Sequence, residues 1–192
     1  MKKTLTVPVI LTAIALILIL WGISEYNSLV RLNESCSSQW SKVESAYQRR
    51  MDLIPNLVSV VKGYAKHESG TFEKVIKARN KVFNVSSSED NAKAYQQVQS
   101  ALTTAMRDIN LVVERYPELK ANQNFLELQS QLEGTENRIN TERVAYAEAV
   151  RKYNAARASF PTNIVAGITG FKAKEYYSSD LGSEKAPKVN FE

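Results

Sequence analysis

The sequence is poor in the residues that most metal, redox and nucleophilic sites require. It contains one cysteine, Cys36, and one histidine, His67. A single cysteine excludes an internal disulfide and any multi-cysteine metal site, and a single histidine excludes multi-histidine metal sites. Glycine-rich phosphate loops, nucleophile elbows, paired-histidine helices and Cys-x-x-Cys motifs are also missing. We therefore expect no cofactor, no metal and no catalytic residue, and we predict that the protein is not an enzyme.

Both isolated residues have simple structural interpretations. Cys36 falls on an apolar helical stripe, which predicts a buried, inert thiol, with pairing between molecules as the alternative. His67 stands at a junction rich in lysine and glutamate, close to Gly70. We expect its imidazole to be exposed to solvent.

Glycine, proline and net charge are also scarce. Seven glycines and five prolines, mostly near the ends of periodic segments, indicate a mainly helical protein. The formal charge is +5, and two of the cations, Lys2 and Lys3, precede the first apolar block. The remainder is too evenly balanced to form a clustered basic face, so we expect no nucleic-acid partner.

Residues 5–23 form an uncharged apolar run at the N-terminus. In a helix this run is about 28 Å long, close to the thickness of the bilayer hydrocarbon core. Trp21 lies at its far end, where an indole favours the headgroup level. A cleaved signal peptide is the alternative, but residues 22–24 make a poor cleavage site. Cys36 is too far along to carry a lipoprotein anchor. We interpret the run as an uncleaved signal anchor whose partner is membrane lipid.

The flanking charges predict the orientation of this anchor. Lys2 and Lys3 precede the run, whereas Glu25 follows it and the first later cation is Arg31. The positive-inside bias therefore places residues 1–4 in the cytoplasm and the rest of the chain across the membrane. The expectation is a single-pass protein of the inner cell membrane with an extracytoplasmic domain.

Apolar periodicity beyond the anchor predicts an all-α domain over residues 24–160. A first helix extends to about residue 64, and no turn signal separates it from the anchor, so the two could be continuous. A shorter segment over residues 72–83, a loop over residues 84–90 and a heptad helix over residues 95–116 follow; Pro117 stops that helix. The last helix runs from about residue 122 to 160, with large residues in one row and small or polar ones in the next. This pattern favours an elongated antiparallel, four-helix-like bundle.

Residues 161–192 differ from the bundle. Ile164, Val165, Ile168 and Phe171 could form a short amphipathic turn, and the sequence beyond it is typical of an extended or mobile tail. We expect the tail to pack on the bundle. Binding to a partner or to the membrane surface is the alternative.

Charged residues beside the apolar rows are the most informative polar positions. Arg50 lies on the first helix's stripe, and Glu136 and Arg143 lie on or next to the main face of the last helix. Unpaired charges there would be strongly disfavoured. We hypothesise an Arg50–Glu136–Arg143 network that fixes the register of the two helices; the alternative is that Arg50 extends along the helix surface to water. An unchanged or higher melting temperature of Arg50→Met, with an unaltered oligomeric state, would count against the network.

The chain resembles the LemA family over nearly all of residues 26–171. The resemblance is carried by YNSLV at 26–30, Trp40, RRMDLIPNLV at 49–58, KGYAKHE at 62–68, ERYPELKA at 114–121, FLEL at 125–128, LEGTENRI at 132–139, Arg143, Tyr146, Tyr153, Asn154, Gly170 and Phe171. It implies a small single-span bacterial membrane protein with an elongated helical bundle and no enzymatic activity. A relative in magnetotactic bacteria is associated with magnetosome membranes. The polar and structural positions that we single out are Arg50, Asp52, Pro55, Asn56, Glu136, Arg143, Tyr153 and Asn154.

Two functional classes remain open. The first is a non-catalytic interaction or scaffold module at the cell envelope, which binds another envelope protein or itself. The second is a ligand-binding protein or enzyme with a site near Arg50, Asp52 and Asn56, where a kink at Pro55 could open a pocket.

Overall fold

The computed structural model describes residues 6–85 and 91–176, and within these ranges every regular element is a helix. The helices are α1 (Thr6–Tyr64), α2 (Ser69–Phe83), α3 (Ala92–Arg115), α4 (Pro117–Lys120), α5 (Gln123–Ala158) and α6 (Thr162–Thr169). The all-α prediction is therefore confirmed. The predicted cytoplasmic residues 1–4, most of the predicted loop at 84–90, and the tail beyond residue 176 lie outside the described ranges.

Helix α1 is a single element of 59 residues that joins the apolar run to the bundle. By length and composition it is able to cross a membrane. Its side chains are exposed over residues 7–20, and core burial begins at Leu29. The predicted continuity between the apolar run and the first bundle helix is therefore present.

Pro55 lies inside α1 without ending it. A proline at this position cannot donate to the carbonyl four residues earlier, which belongs to Met51. The guanidinium of Arg79, on α2, donates from Nε to that carbonyl oxygen at 2.9 Å. A side chain of the neighbouring helix thus satisfies the acceptor that the proline leaves open.

Helices α1 and α5 pack antiparallel, and polar contacts at both ends of the bundle join α1 to the residues that flank α5. At one end, the Asn122 amide donates to the Tyr64 hydroxyl at 2.8 Å. At the other, the Thr162 hydroxyl donates to a carboxylate oxygen of Glu25 at 2.9 Å. Helices α2 and α3 form the second antiparallel pair and complete an up-down-up-down bundle.

Aromatic rings fill the place where α1, α3 and α5 meet. The Trp40 ring lies 6.1 Å from the Tyr95 ring and 5.2 Å from the Tyr146 ring, measured between centroids. Tyr47 contacts Tyr95 edge-on at 5.5 Å. All four side chains are buried, so they form the centre of the core.

Helix ends follow the predicted signals closely. The third helix stops at Arg115, and Pro117 occupies the first turn of the short α4. The side chain of Asn122 caps α5 by accepting a hydrogen bond from the Phe125 amide at 3.0 Å. Cys36 is fully buried and His67 is exposed, as the sequence predicts.

Candidate functional site

Arg50 is the buried charge around which the polar centre of the bundle is built. It shares the inward side of α1 with Ala46, Tyr47 and Ile54, because residues three, four and seven apart lie on one face of a helix. Its side chain is 8 % exposed. A guanidinium at this depth requires polar partners on the neighbouring helices.

Two other helices supply those partners. A guanidinium nitrogen of Arg50 lies 2.9 Å from a carboxylate oxygen of Glu136 on α5. The other terminal nitrogen donates to the Thr103 hydroxyl on α3, also at 2.9 Å. Thr103 in turn donates to the backbone carbonyl of Gln99 at 3.0 Å. Arg50 therefore connects α1, α3 and α5, and the contact with Glu136 that we expected is present.

A cavity of about 140 Å³ adjoins this pair. It is lined by Arg50, Arg107, Arg143, Glu136 and the Gln99 amide, together with Tyr47 and the hydroxyls of Ser100, Thr103 and Thr104. Three guanidinium groups face one carboxylate, so the lining carries an excess of positive charge. Arg143, the third predicted member of the network, shares this cavity.

Gln99 is the least satisfied group in the cavity wall. It is 2 % exposed, and neither its amide nitrogen nor its amide oxygen makes a hydrogen bond of acceptable geometry within the described residues. The neighbouring Tyr95 phenol has its pKa raised to about 12 by burial, an effect that the nearby Gln99 amide partly opposes. The cavity therefore offers guanidinium and amide donors to a small acceptor.

Asp52 and Asn56 do not belong to this site, which corrects the predicted grouping with Arg50. Asp52 is exposed and accepts a hydrogen bond from the Gln48 amide at 2.9 Å on the surface of α1. Asn56 is exposed as well, and neither residue lines the cavities that Arg50 lines. Steps of two and six residues rotate a side chain by about 200° and 240° around the helix axis, away from Arg50.

Tyr153 and Asn154 hold the segment that follows α6. The Tyr153 hydroxyl donates to the Lys172 carbonyl at 2.8 Å. The Asn154 amide donates to the Lys174 carbonyl at 2.9 Å, and its oxygen accepts from the Lys174 amide at 3.0 Å. Arg157 donates from Nε to the Phe171 carbonyl at 2.7 Å. The described part of the predicted tail, residues 171–176, is thus attached to α5 by side chains.

The polar residues that α3 contributes to the cavity, including Gln99 and Thr103, were not predicted from the sequence. Arg157, one of the α5 residues that hold the segment after α6, was not predicted either. Gln99 follows Tyr95 by four residues and precedes Leu102 by three, so it is a polar residue on the apolar stripe of α3. That position was a usable signal. Arg157 has the same spacing, four residues after Tyr153 and three before Phe160, so it offered a similar signal. Thr103 gave none, because it lies beside its stripe rather than on it. The partners of these residues become evident only when the helices are assembled.

Other charged groups form ion pairs within α5, outside this cavity. The pKa of Glu148 is lowered to about 2 because Arg151 donates two hydrogen bonds to it, both at 2.7 Å. Glu142 is buried and pairs with Arg138 at 2.7 Å. In the described part of the chain, no group of three or more histidine, cysteine or carboxylate side chains is arranged to hold a metal ion.

Comparison with known proteins identifies related chains. The sequence model of the LemA family matches residues 39–191. The magnetosome protein MamQ 2 of Paramagnetospirillum magneticum is 27 % identical over 174 aligned residues, which cover 79 % of this chain and 64 % of the relative. The magnetosome protein MamQ of Magnetospirillum gryphiswaldense is 24 % identical with the same coverage. Protein LemA of Metamycoplasma hominis is 25 % identical over 138 residues, covering 72 % of this chain and 58 % of the relative. The chain thus spans about three fifths of the length of the relatives it matches.

Proposed function

The chain belongs to the LemA family, and from this premise we propose that it is a membrane-anchored, non-catalytic helical-bundle protein. It acts as an interaction or scaffold module at the bacterial cell envelope. The relatives named as magnetosome proteins are consistent with a use at membranes. Its partner is another envelope protein or a second copy of the chain.

The continuity of α1 is the observation that carries this proposal. A helix of 59 residues is about 88 Å long, and it passes from the exposed apolar run into the packed bundle without a break. A continuous helix cannot swivel freely at the membrane exit, as a bundle on a flexible linker would. The bundle therefore keeps a fixed angle to the span itself, which suits a protein that positions a partner.

The proposed topology has one span. Lys2 and Lys3 keep the N-terminus in the cytoplasm, and the bundle stands on the extracytoplasmic side of the inner membrane. The even charge of the remaining chain argues against nucleic acid as a partner.

Photocrosslinking in intact membranes tests the interaction role. A photoreactive residue is placed, one at a time, at the exposed apolar positions Leu111, Leu126 and Val144, and at Ser41 in the groove between α1 and α5. Each variant is irradiated as the full chain, with an unirradiated sample as its control. We expect a discrete crosslinked product at one or more positions.

The identity of the product decides between the two kinds of partner. A product that contains another envelope protein supports an adaptor, and a product of twice the chain mass supports a self-associating scaffold. Absence of any product at all four positions, with the chain inserted and folded, would contradict the interaction role.

A second candidate function is binding of a small anion in the Arg50 cavity. Three arginines and the buried Gln99 amide line a space of about 140 Å³. A cavity of comparable size holds a benzene-sized molecule, so a phosphate or carboxylate group would fit. This candidate replaces the predicted site near Arg50, Asp52 and Asn56.

Ligand-induced stabilisation tests this second candidate. Inorganic phosphate should raise the melting temperature of the detergent-solubilised chain, because binding to the folded state alone adds stability. Arg143→Met should abolish that increase, and Lys62→Met, which removes an exposed charge on α1, should leave it intact. Equal responses of the two variants would assign the effect to general ionic strength rather than to the cavity.

A further inference from the structure

Helix α6 has an inner side that packs on the bundle and an outer side that is apolar and exposed. Ala166 is buried, and Val165 is half-buried. On the outer side, Ile164 is 51 % exposed and Ile168, one turn later, is 81 % exposed. Phe160, just before the helix, is 79 % exposed. Three large apolar side chains at one end of a bundle form a patch that requires an explanation.

Contacts with α1 place this patch at the membrane end of the bundle. Thr162, the first residue of α6, donates to Glu25, and the Phe171 ring beyond its end lies 5.7 Å from the Tyr26 ring. Both ends of a helix about 10 Å long therefore meet neighbouring residues of α1. This arrangement means that α6 crosses the end of the bundle instead of running along α1.

The level of that contact coincides with the end of the apolar run. Glu25 stands two residues after Ile23, the last residue of the run. At about 1.5 Å per residue, two residues advance the helix axis by about 3 Å. If α1 spans a bilayer, α6 lies at the boundary between the acyl chains and the headgroups.

The charge pattern of the segment suits the same boundary. Residues 159–171 contain no charged residue, and the exposed Lys172 follows them. Interfacial segments bury apolar side chains in the acyl region and place basic groups among the headgroups. The carboxylate of Glu25 accepts a hydrogen bond from the Thr162 hydroxyl at this level.

We propose that α6 and Phe160 insert into the membrane surface beside the α1 span, so that the chain binds lipid at two places. This inference rests on the proposed membrane anchoring. The occupant of the patch is lipid because the patch lies at the level of the headgroups, where a protein partner would have to displace them. Two points of insertion fix the tilt of the bundle relative to the membrane, which one span alone does not.

Depth measurements on spin-labelled protein test the proposal. The full chain, with Cys36→Ala, carries one nitroxide at Ile168→Cys, Leu16→Cys or Val144→Cys, and is reconstituted with one copy per nanodisc. Leu16 reports on the span, and Val144, 65 % exposed on α5, is the matched control above the membrane. We expect collisions with a water-soluble nickel chelate to be several-fold less frequent at 168 than at 144, and collisions with oxygen to be more frequent.

Three outcomes would overturn the proposal, and they separate it from the anchoring itself. If 168 is as accessible to nickel as 144 while 16 is shielded, the anchor stands and α6 does not touch lipid. If 16 is also accessible, anchoring fails and the inference falls with it. If 168 is shielded only when several copies share a disc, the patch is an interface between chains. An Ile164→Cys label provides the same comparison should labelling at 168 reduce the helical signal.

Discussion

Removing Glu136 should destabilise the bundle more than removing Arg50, although the two residues share one ion pair. The reason is their unequal exposure: the Arg50 side chain is 8 % exposed and that of Glu136 is 54 % exposed. Glu136→Leu leaves a buried guanidinium without its counter-ion. Breaking a buried pair in this way costs about 3–5 kcal/mol, and we expect about 3 kcal/mol because one partner of this pair reaches water.

Arg50→Met should have a smaller effect. It leaves Glu136 free to be hydrated, and the Thr103 hydroxyl keeps its hydrogen bond to the Gln99 carbonyl. The main loss is a charged hydrogen bond, and burial of the methionine side chain offsets part of it. We expect a net destabilisation of about 1–2 kcal/mol.

The double variant distinguishes a coupled pair from two independent residues, because the effect of Arg50→Met on stability should change sign when Glu136 is absent. Once Glu136 is replaced by leucine, Arg50→Met removes an uncompensated buried charge and should raise stability. The resulting coupling energy should exceed the cost of Arg50→Met alone, about 1–2 kcal/mol. Thermal unfolding of the full chain in micelles, followed by circular dichroism, measures it; about 3 kcal/mol corresponds to a decrease of about 6–12 °C in Tm for a chain of this size.

A surface pair on α5 provides the control. A guanidinium nitrogen of Arg151 lies 2.7 Å from a carboxylate oxygen of Glu148, but the two side chains are 62 % and 44 % exposed. Exposed pairs couple by about 0–1 kcal/mol, so this cycle should be nearly additive. Two results would refute the reasoning. One is a coupling energy of the Arg50–Glu136 cycle that is no larger than that of the control pair. The other is an Arg50→Met variant whose Tm is unchanged or higher and whose oligomeric state is unaltered.

Three further predictions follow from local contacts. Asn154→Leu removes the two hydrogen bonds that join Asn154 to Lys174 in the segment after α6, so trypsin should cleave at Lys174 faster than in the exposed-site control Asn140→Leu. Burial raises the pKa of Tyr95 from its ordinary value of 10.0 to about 12 in the folded chain. Its contribution to the free energy of unfolding is therefore complete below pH 10 and is lost as the pH rises from 10 to 12. Alkaline unfolding should show that loss, up to about 3 kcal/mol, and Tyr95→Phe should reduce it. Arg79→Met should lower the Tm of the natural chain by more than it lowers the Tm of the Pro55→Ala variant. In that variant the backbone N–H of alanine can donate to the Met51 carbonyl in place of Arg79. Equal decreases in the two backgrounds would show that Arg79 does not compensate for the proline.

Much of the fold was predictable because its signals are local. The helix bounds followed from apolar periodicity and from Pro117, each of which acts within a few residues of its own position. The burial of Cys36 followed from its place on the α1 stripe, and the buried position of Arg50 was one of two alternatives that the stripe left open. The candidate site was only half predictable. Arg50 and Glu136 lie on stripes that face each other, whereas Thr103 and Arg107 come from α3, whose rotation about its axis the sequence does not specify.

The sequence by itself determined the helical class, the apolar run, the main helix ends and the inward position of Arg50, because these depend on composition and on a period of 3.6 residues. Only the tertiary structure decided which residues meet across helices. It paired Arg79 with the Met51 carbonyl that Pro55 leaves without a donor, and it attached the segment after α6 to Asn154. These contacts join residues about 20 or more positions apart in the chain, and their partners are fixed by the packing of large side chains against small ones.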